Sequence, residues 1–110
     1  MRIEFHKSSS GRSYFEDFLK GLSSQDKATI LAVFDDIGKY GFGAIGCDFR
    51  QIEGKLWEIK IKTAGGGFRF FYVMLSSDEM HVLHSYKKKT PKAPPRELEI
   101  ARKRLKEVLS

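Results

Sequence analysis

Residues 55–89, KLWEIKIKTAGGGFRFFYVMLSSDEMHVLHSYKKK, decide the fold. Within KLWEIKIKT, Trp57, Ile59 and Ile61 alternate with Glu58, Lys60 and Lys62, the two-residue period of a strand with one buried face. Ala64 and the glycines 65–67 allow a tight reversal, and FRFFYVML (68–75) returns as an apolar central strand. Asp78 and Glu79 mark a second reversal before MHVLHSYK. The stretch therefore predicts a three-stranded antiparallel meander.

Toward the N-terminus, Ile3 and Phe5 alternate with polar residues in a short strand over residues 2–6, and SSSGRS supplies turn and helix-capping residues. Phe15, Phe18, Leu19 and Leu22 recur at helical spacing, and Ser23 and Ser24 can cap a second helix carrying Ile30, Phe34 and Ile37. Gly38, Gly41, Gly43 and Gly46 end the helical pattern, and DFRQIEG is expected to pass through Gly54 into the meander. Beyond it, KKTPKAPP interrupts regular structure before a last helix striped by Leu98, Ala101, Leu105 and Val108. The expected class is α+β, an antiparallel sheet of the short N-terminal strand plus the meander. Two N-terminal helices and a C-terminal helix cover one face, and the other is expected to stay open.

The chain has 110 residues, 41% of them hydrophobic, which suits one domain over 1–110 with a core that requires neither disulfides nor a structural metal. Cys47 is the only cysteine, without neighbours at metal-ligand spacing, and is expected to be structural or incidental. MRIEFHKSSSGRS lacks the apolar stretch of a signal peptide, and no run of about 18 apolar residues occurs, so a cytoplasmic protein without a membrane span is expected. Twenty Lys and Arg against fourteen Asp and Glu give a formal charge of +6, which points to a polyanionic partner, nucleic acid first, or simply to solubility.

The placement of the charge favours a partner. Arg69 interrupts the apolar central strand just after the glycine turn, where it can be a solvated or ion-paired residue, with Glu58 or Glu53 as partner. Neighbouring strands also bring it toward Lys60, Lys62 and the run Tyr86-Lys87-Lys88-Lys89, making one cationic patch. Glu58 is a candidate general base, or forms a strand-surface ion pair with Lys60 or a neighbour. His84 and Tyr86 share a face by period two, and either can serve as acid or stack on a base. His6 and His81 have no supporting context. The last helix adds Arg96, Arg102, Lys103, Arg104 and Lys106. These suit nucleic acid, or form a solvated face with pairs such as Glu99 with Lys103.

The segments LWEIKIKT, GGGFRFFYVM and VLHSYKKKTPKAPPRELEIARKRLKE resemble the HigB-like, phage-related branch of the RelE/ParE toxins, over about residues 55–106. The most specific parts are Trp57-Glu58 with Lys60, Gly67-Phe68-Arg69 leading to Tyr72, and the lysine triplet followed by Thr90, Pro91 and a helix that includes Ala101. The resemblance implies a RelE-like fold and a toxin of a type II toxin–antitoxin system, cleaving messenger RNA in the ribosome. In that reaction the ribose 2′-hydroxyl attacks the adjacent phosphate, leaving a cyclic phosphate and a 5′-hydroxyl, with no metal or other cofactor. Carried over by position, Arg69 meets the scissile phosphate, Lys60 adds positive field, Lys88 supplies a second cation, and Glu58 and Tyr86 are acid–base candidates. Lys62, His84, Lys87, Lys89, Lys92, Arg102, Lys103 and Arg104 would contact RNA. The implied partners are the ribosome with its message and a cognate antitoxin, expected to be a helix-turn-helix protein. Glu58 stands where a better-known ribosome-dependent branch has a lysine, which leaves the acid and base unassigned. Two other classes compete: a non-catalytic inhibitor on the same fold, of the gyrase-poisoning kind, and a plain basic nucleic-acid-binding module.

Overall fold

A computed structural model describes residues 1–110. Strand β1 (Arg2–Phe5) leads to helices α1 (Tyr14–Lys20) and α2 (Ser24–Tyr40), and a short 3-10 turn, Gly41–Gly43, follows. Strands β2 (Asp48–Glu53), β3 (Leu56–Thr63), β4 (Gly66–Ser76) and β5 (Glu79–Lys88) come next, then helix α3 (Pro95–Leu109). Ser13 and Ser23 cap α1 and α2, their hydroxyls accepting from the backbone N–H of Glu16 and Asp26. Pro95 opens α3 at a first-turn position, where its missing N–H costs nothing.

The strands form one five-stranded sheet in the order β1-β5-β4-β3-β2. The meander β3-β4-β5 forms as expected, in an α+β architecture. Two features of the sheet differ from expectation. β1 joins β5 in parallel, Arg2 opposite Glu79 and Phe5 opposite Val82, so the sheet is mixed. DFRQIE is not a connection but an edge strand antiparallel to β3, with an irregularity between Gln51 and Glu53 that obscures its alternation.

Helices α1 and α2 cover one face, where Phe15, Leu19, Ile30, Phe34 and Ile37 meet Ile59, Ile61, Phe68, Phe70 and Tyr72. Phe70 is fully buried, with Phe34 edge-on at 5.1 Å and Phe18 edge-on at 6.1 Å. Such pairs add about 0.5–1.5 kcal/mol each beyond burial of their surface.

The second face is not open. α3 lies on it and buries Ala101 against Leu56, Phe71, Val73, Leu83 and Tyr86, with Leu98, Leu105 and Val108 at the margin. These are the apolar positions of the expected stripe, but on the side of the sheet opposite α1 and α2. The change matters because α3 stands beside the charged row of β3 and restricts access to it. No helix is long and apolar enough to cross a membrane.

Candidate functional site

Register brings the candidate residues together. Lys60 of β3, Arg69 of β4 and Tyr86 of β5 are direct neighbours across three strands. One pleat further stand Glu58, Phe71 and His84, and on the other side Lys62, Gly67 and Lys88. Because side chains two residues apart share a face, Glu58, Lys60, Arg69, Tyr86 and Lys88 occupy one side of the sheet. β2 adds Arg50 opposite Glu58 and Asp48 opposite Lys60.

At the centre of this array is a buried ion pair. Glu58 is 1% exposed and Arg69 6%. Arg50 Nη2 donates to Glu58 Oε1 at 3.1 Å, and Arg69 Nε lies 3.5 Å from the same oxygen. Arg69 Nη1 donates to the carbonyl of Phe68 at 3.3 Å. Both guanidinium groups thus serve Oε1, while Oε2 is buried without a hydrogen-bond partner. The expected alternatives for Glu58 and Arg69 resolve toward each other. Glu58 pairs with Arg50 and Arg69 rather than Lys60, and Glu53 binds Arg102 instead.

Around the pair the site opens. Lys60 and Lys88 are half-buried and Lys62 is exposed. Partial burial, then the neighbouring charges of Arg69 and Lys60, hold Lys88 below the ordinary lysine range. Tyr86 is buried beside Phe71, ring centroids 5.6 Å apart, and burial, then the Glu58 carboxylate, raise its phenol above the usual value. It therefore stays protonated through neutral pH. Tyr72, on the opposite face, is pushed up to about 12 by burial.

Several expected RNA contacts are engaged elsewhere. Arg104 Nη1 donates to the Leu83 carbonyl at 3.0 Å and reaches His84 Nδ1 at 3.2 Å, and its guanidinium covers the Tyr14 ring at 3.6 Å. His84 Nδ1 must therefore accept, leaving Nε2–H to donate to Glu97 Oε1 at 3.0 Å. With both ring nitrogens occupied and burial lowering its pKa, His84 anchors α3 and is not a free acid. Arg102 forks onto Glu53 at 2.6 and 2.9 Å, tying α3 to β2. Lys87 lies over the Phe68 ring at 5.8 Å, on the face away from Lys88. Lys89, Lys92 and Lys103 are exposed and form no ion pair within 4 Å, and Glu99 does not pair with Lys103.

Three features lay outside the expectations. Arg50 completes the Glu58 pair, and an alternating reading of DFRQIE would have put it on that face. His6 and His81, expected to lack context, bond each other at 3.0 Å, and His6 Nε2 reaches Glu107 of α3 at 2.9 Å. Asp26, at the third position of α2, accepts from Gly65 N–H in the glycine turn at 3.1 Å. A Cβ at Gly65 would lie 2.1 Å from Asp26 Oδ2, so only glycine allows this approach without a shift. The turn leading to Arg69 is thereby pinned to α2.

No group of three or more His, Cys, Asp or Glu side chains is arranged to hold a metal. Cys47 is free and half-buried beside the apolar core, and burial, then Asp48, raises its thiol pKa. No curated protein matches the chain. Residues 17–106, from α1 to the last turns of α3, match the family of phage-derived Gp49-like proteins (DUF891), a branch of the RelE/ParE-like toxin superfamily. With that match spanning most of the sheet and all of the charged row, the chain belongs to the Gp49-like phage-derived family.

Proposed function

We propose that the protein is the toxin of a type II toxin–antitoxin pair and a metal-independent endoribonuclease that cuts messenger RNA on the ribosome. Membership of a family commonly toxin-like supports the first part. The observation that carries the second is the row of Glu58, Lys60, Arg69, Tyr86 and Lys88 on one sheet face. Attack by a 2′-hydroxyl needs an acceptor for its proton, positive charge for the phosphorane and a donor for the leaving oxygen. Glu58, the carboxylate at the centre of the row, is the candidate for the first role. Lys60 and Lys88 suit the second, and the protonated phenol of Tyr86 the third. Arg69, 3.5 Å from Glu58 Oε1, would position that carboxylate and add positive charge to the row. Exposed Lys62, Lys89, Lys92 and Lys103 extend a cationic path for RNA. The partners in this reading are the ribosome with its message and a helix-turn-helix antitoxin, and the compartment is the cytoplasm.

Burial of Glu58 and Arg69 favours a second reading, in which the pair is structural and the surface grips a target such as gyrase, or nucleic acid, without cutting. One experiment separates them. Purified protein is incubated with translating ribosomes, and message ends are mapped by primer extension. New ends bearing 5′-hydroxyls are expected, in the presence of a chelator as well. Intact message at saturating protein, with translation or supercoiling still inhibited, would favour the second reading.

A further inference from the structure

β2 closes one side of the sheet, and β3 is its only strand neighbour. None of the backbone hydrogen bonds of turns and loops ends on residues 48–53, so the outer row of amides and carbonyls is open. Such a row is a template for another strand. Two other observations bear on what covers it. Beside it lies an apolar cleft of about 350 Å³ lined by Phe42, Phe49, Trp57, Tyr72 and Met74. Phe42 is 52% exposed and Ile45, on the approach to β2, 82%. On the opposite side of the same strand, Asp48 is exposed and has no ion pair within 4 Å, two residues from Arg50, whose side chain is 59% exposed.

We propose that two copies of this chain pair edge to edge through β2, antiparallel about a twofold axis at Phe49, to make one continuous sheet. Charge selects this register. With Phe49 opposite the partner's Phe49, Asp48 stands opposite the partner's Arg50, and by symmetry the pair occurs twice. An axis at Arg50 would set two arginines against each other. An axis at Asp48 would set two aspartates against each other. The irregularity after Gln51 leaves Asp48–Gln51 as the regular stretch, and both residues of the Asp48–Arg50 pair lie within it. The two apolar clefts then adjoin across the axis on the Phe49 side, which removes their rings from water together. The inference is independent of whether the protein cuts RNA.

Sedimentation of the full chain tests it, with the register read by cross-linking. The unaltered chain is expected to sediment as a dimer, Asp48→Arg as a monomer, and Asp48→Arg with Arg50→Asp as a dimer again. Gln51→Cys should form a disulfide-linked dimer through the partner's Cys47 on mild oxidation, because those positions face each other, and Cys47→Ser in that background should abolish it. Within one chain positions 47 and 51 are about 13 Å apart along the strand and cannot join. A monomer at the highest soluble concentration overturns the proposal, as does a dimer that Asp48→Arg leaves intact. Should Arg50→Asp disturb the fold through Glu58, the cross-link alone decides: its absence, or its survival in Cys47→Ser, refutes the register.

Discussion

Glu58 and Arg69, on adjacent strands and both nearly inaccessible, meet with 3.5 Å between Oε1 and Nε, and the second carboxylate oxygen is left without a partner. A buried pair of this kind is costly to break from one side, since the remaining charge stays desolvated. Arg69→Ala should therefore destabilise the protein by about 3 kcal/mol, at the lower end for such pairs because Arg50 still holds Glu58. Loss of toxicity in that variant would not by itself assign a catalytic role. Replacing both residues, as Glu58→Leu with Arg69→Met, should restore most of the stability in urea unfolding while leaving message uncut. Recovery of cleavage along with stability would remove the pair from the chemistry.

Lys60 and Lys88 flank the pair without being buried by it, so their alanine variants separate chemistry from folding. Each should lower single-turnover cleavage by about tenfold or more, short of the roughly hundredfold cost of losing a preorganised donor. Thermal melting should not change. Cleavage at the parental rate in Lys60→Ala with Lys88→Ala would show that the phosphate lies elsewhere.

Lys103 and Arg104 are neighbours in sequence with opposite expectations. Arg104 is held by Leu83, His84 and the Tyr14 ring. Its replacement by glutamate should lower the melting temperature clearly, with about 1–3 kcal/mol lost from the donated bonds alone. Lys103→Glu should leave melting unaltered and reduce ribosome co-sedimentation in a salt-dependent way, by about one phosphate contact's worth of slope. Equal binding slopes would mean that this side of α3 does not meet RNA.

Acid should loosen α3. Burial, then His6, lowers the pKa of His81, and burial lowers that of His84, so both bind protons more readily in the unfolded chain. Stability is then complete above the ordinary histidine value of 6.5 and declines as pH falls below it. Glu107, held low by its bond to His6, adds a loss that begins only as pH falls through the carboxylate range. The melting temperature should drop between pH 7.5 and 5.5, and His81→Gln with His84→Gln should flatten that dependence even if it lowers the plateau. An unchanged slope would place the sensitive groups elsewhere.

The meander and the stripe of α3 were legible because they rest on local periodicity. Ile59 and Ile61 alternate with lysines, and Leu98, Ala101, Leu105 and Val108 keep helical spacing. Short reversals then align Lys60, Arg69 and Tyr86, so the charged row could be anticipated. β2 was hidden by its irregularity, and the parallel partner of β1 lies far along the chain, where no local signal reaches. Burial of Glu58 follows from neighbours on β2, β4 and β5 together with the placement of α3, a tertiary outcome that alternation alone does not contain.

The parallel pairing of β1 with β5 has a consequence for how the molecule comes into being. Residues 2–5 are made well before their partners, residues 79–82, and the His6 bonds require His81 and Glu107. Non-local pairings of this kind form late, because a long loop must close before they repay its entropy. The sheet is thus completed only after β5 has been made. Until then β1 has no strand to join, and a copy interrupted before β5 never acquires that edge of its sheet.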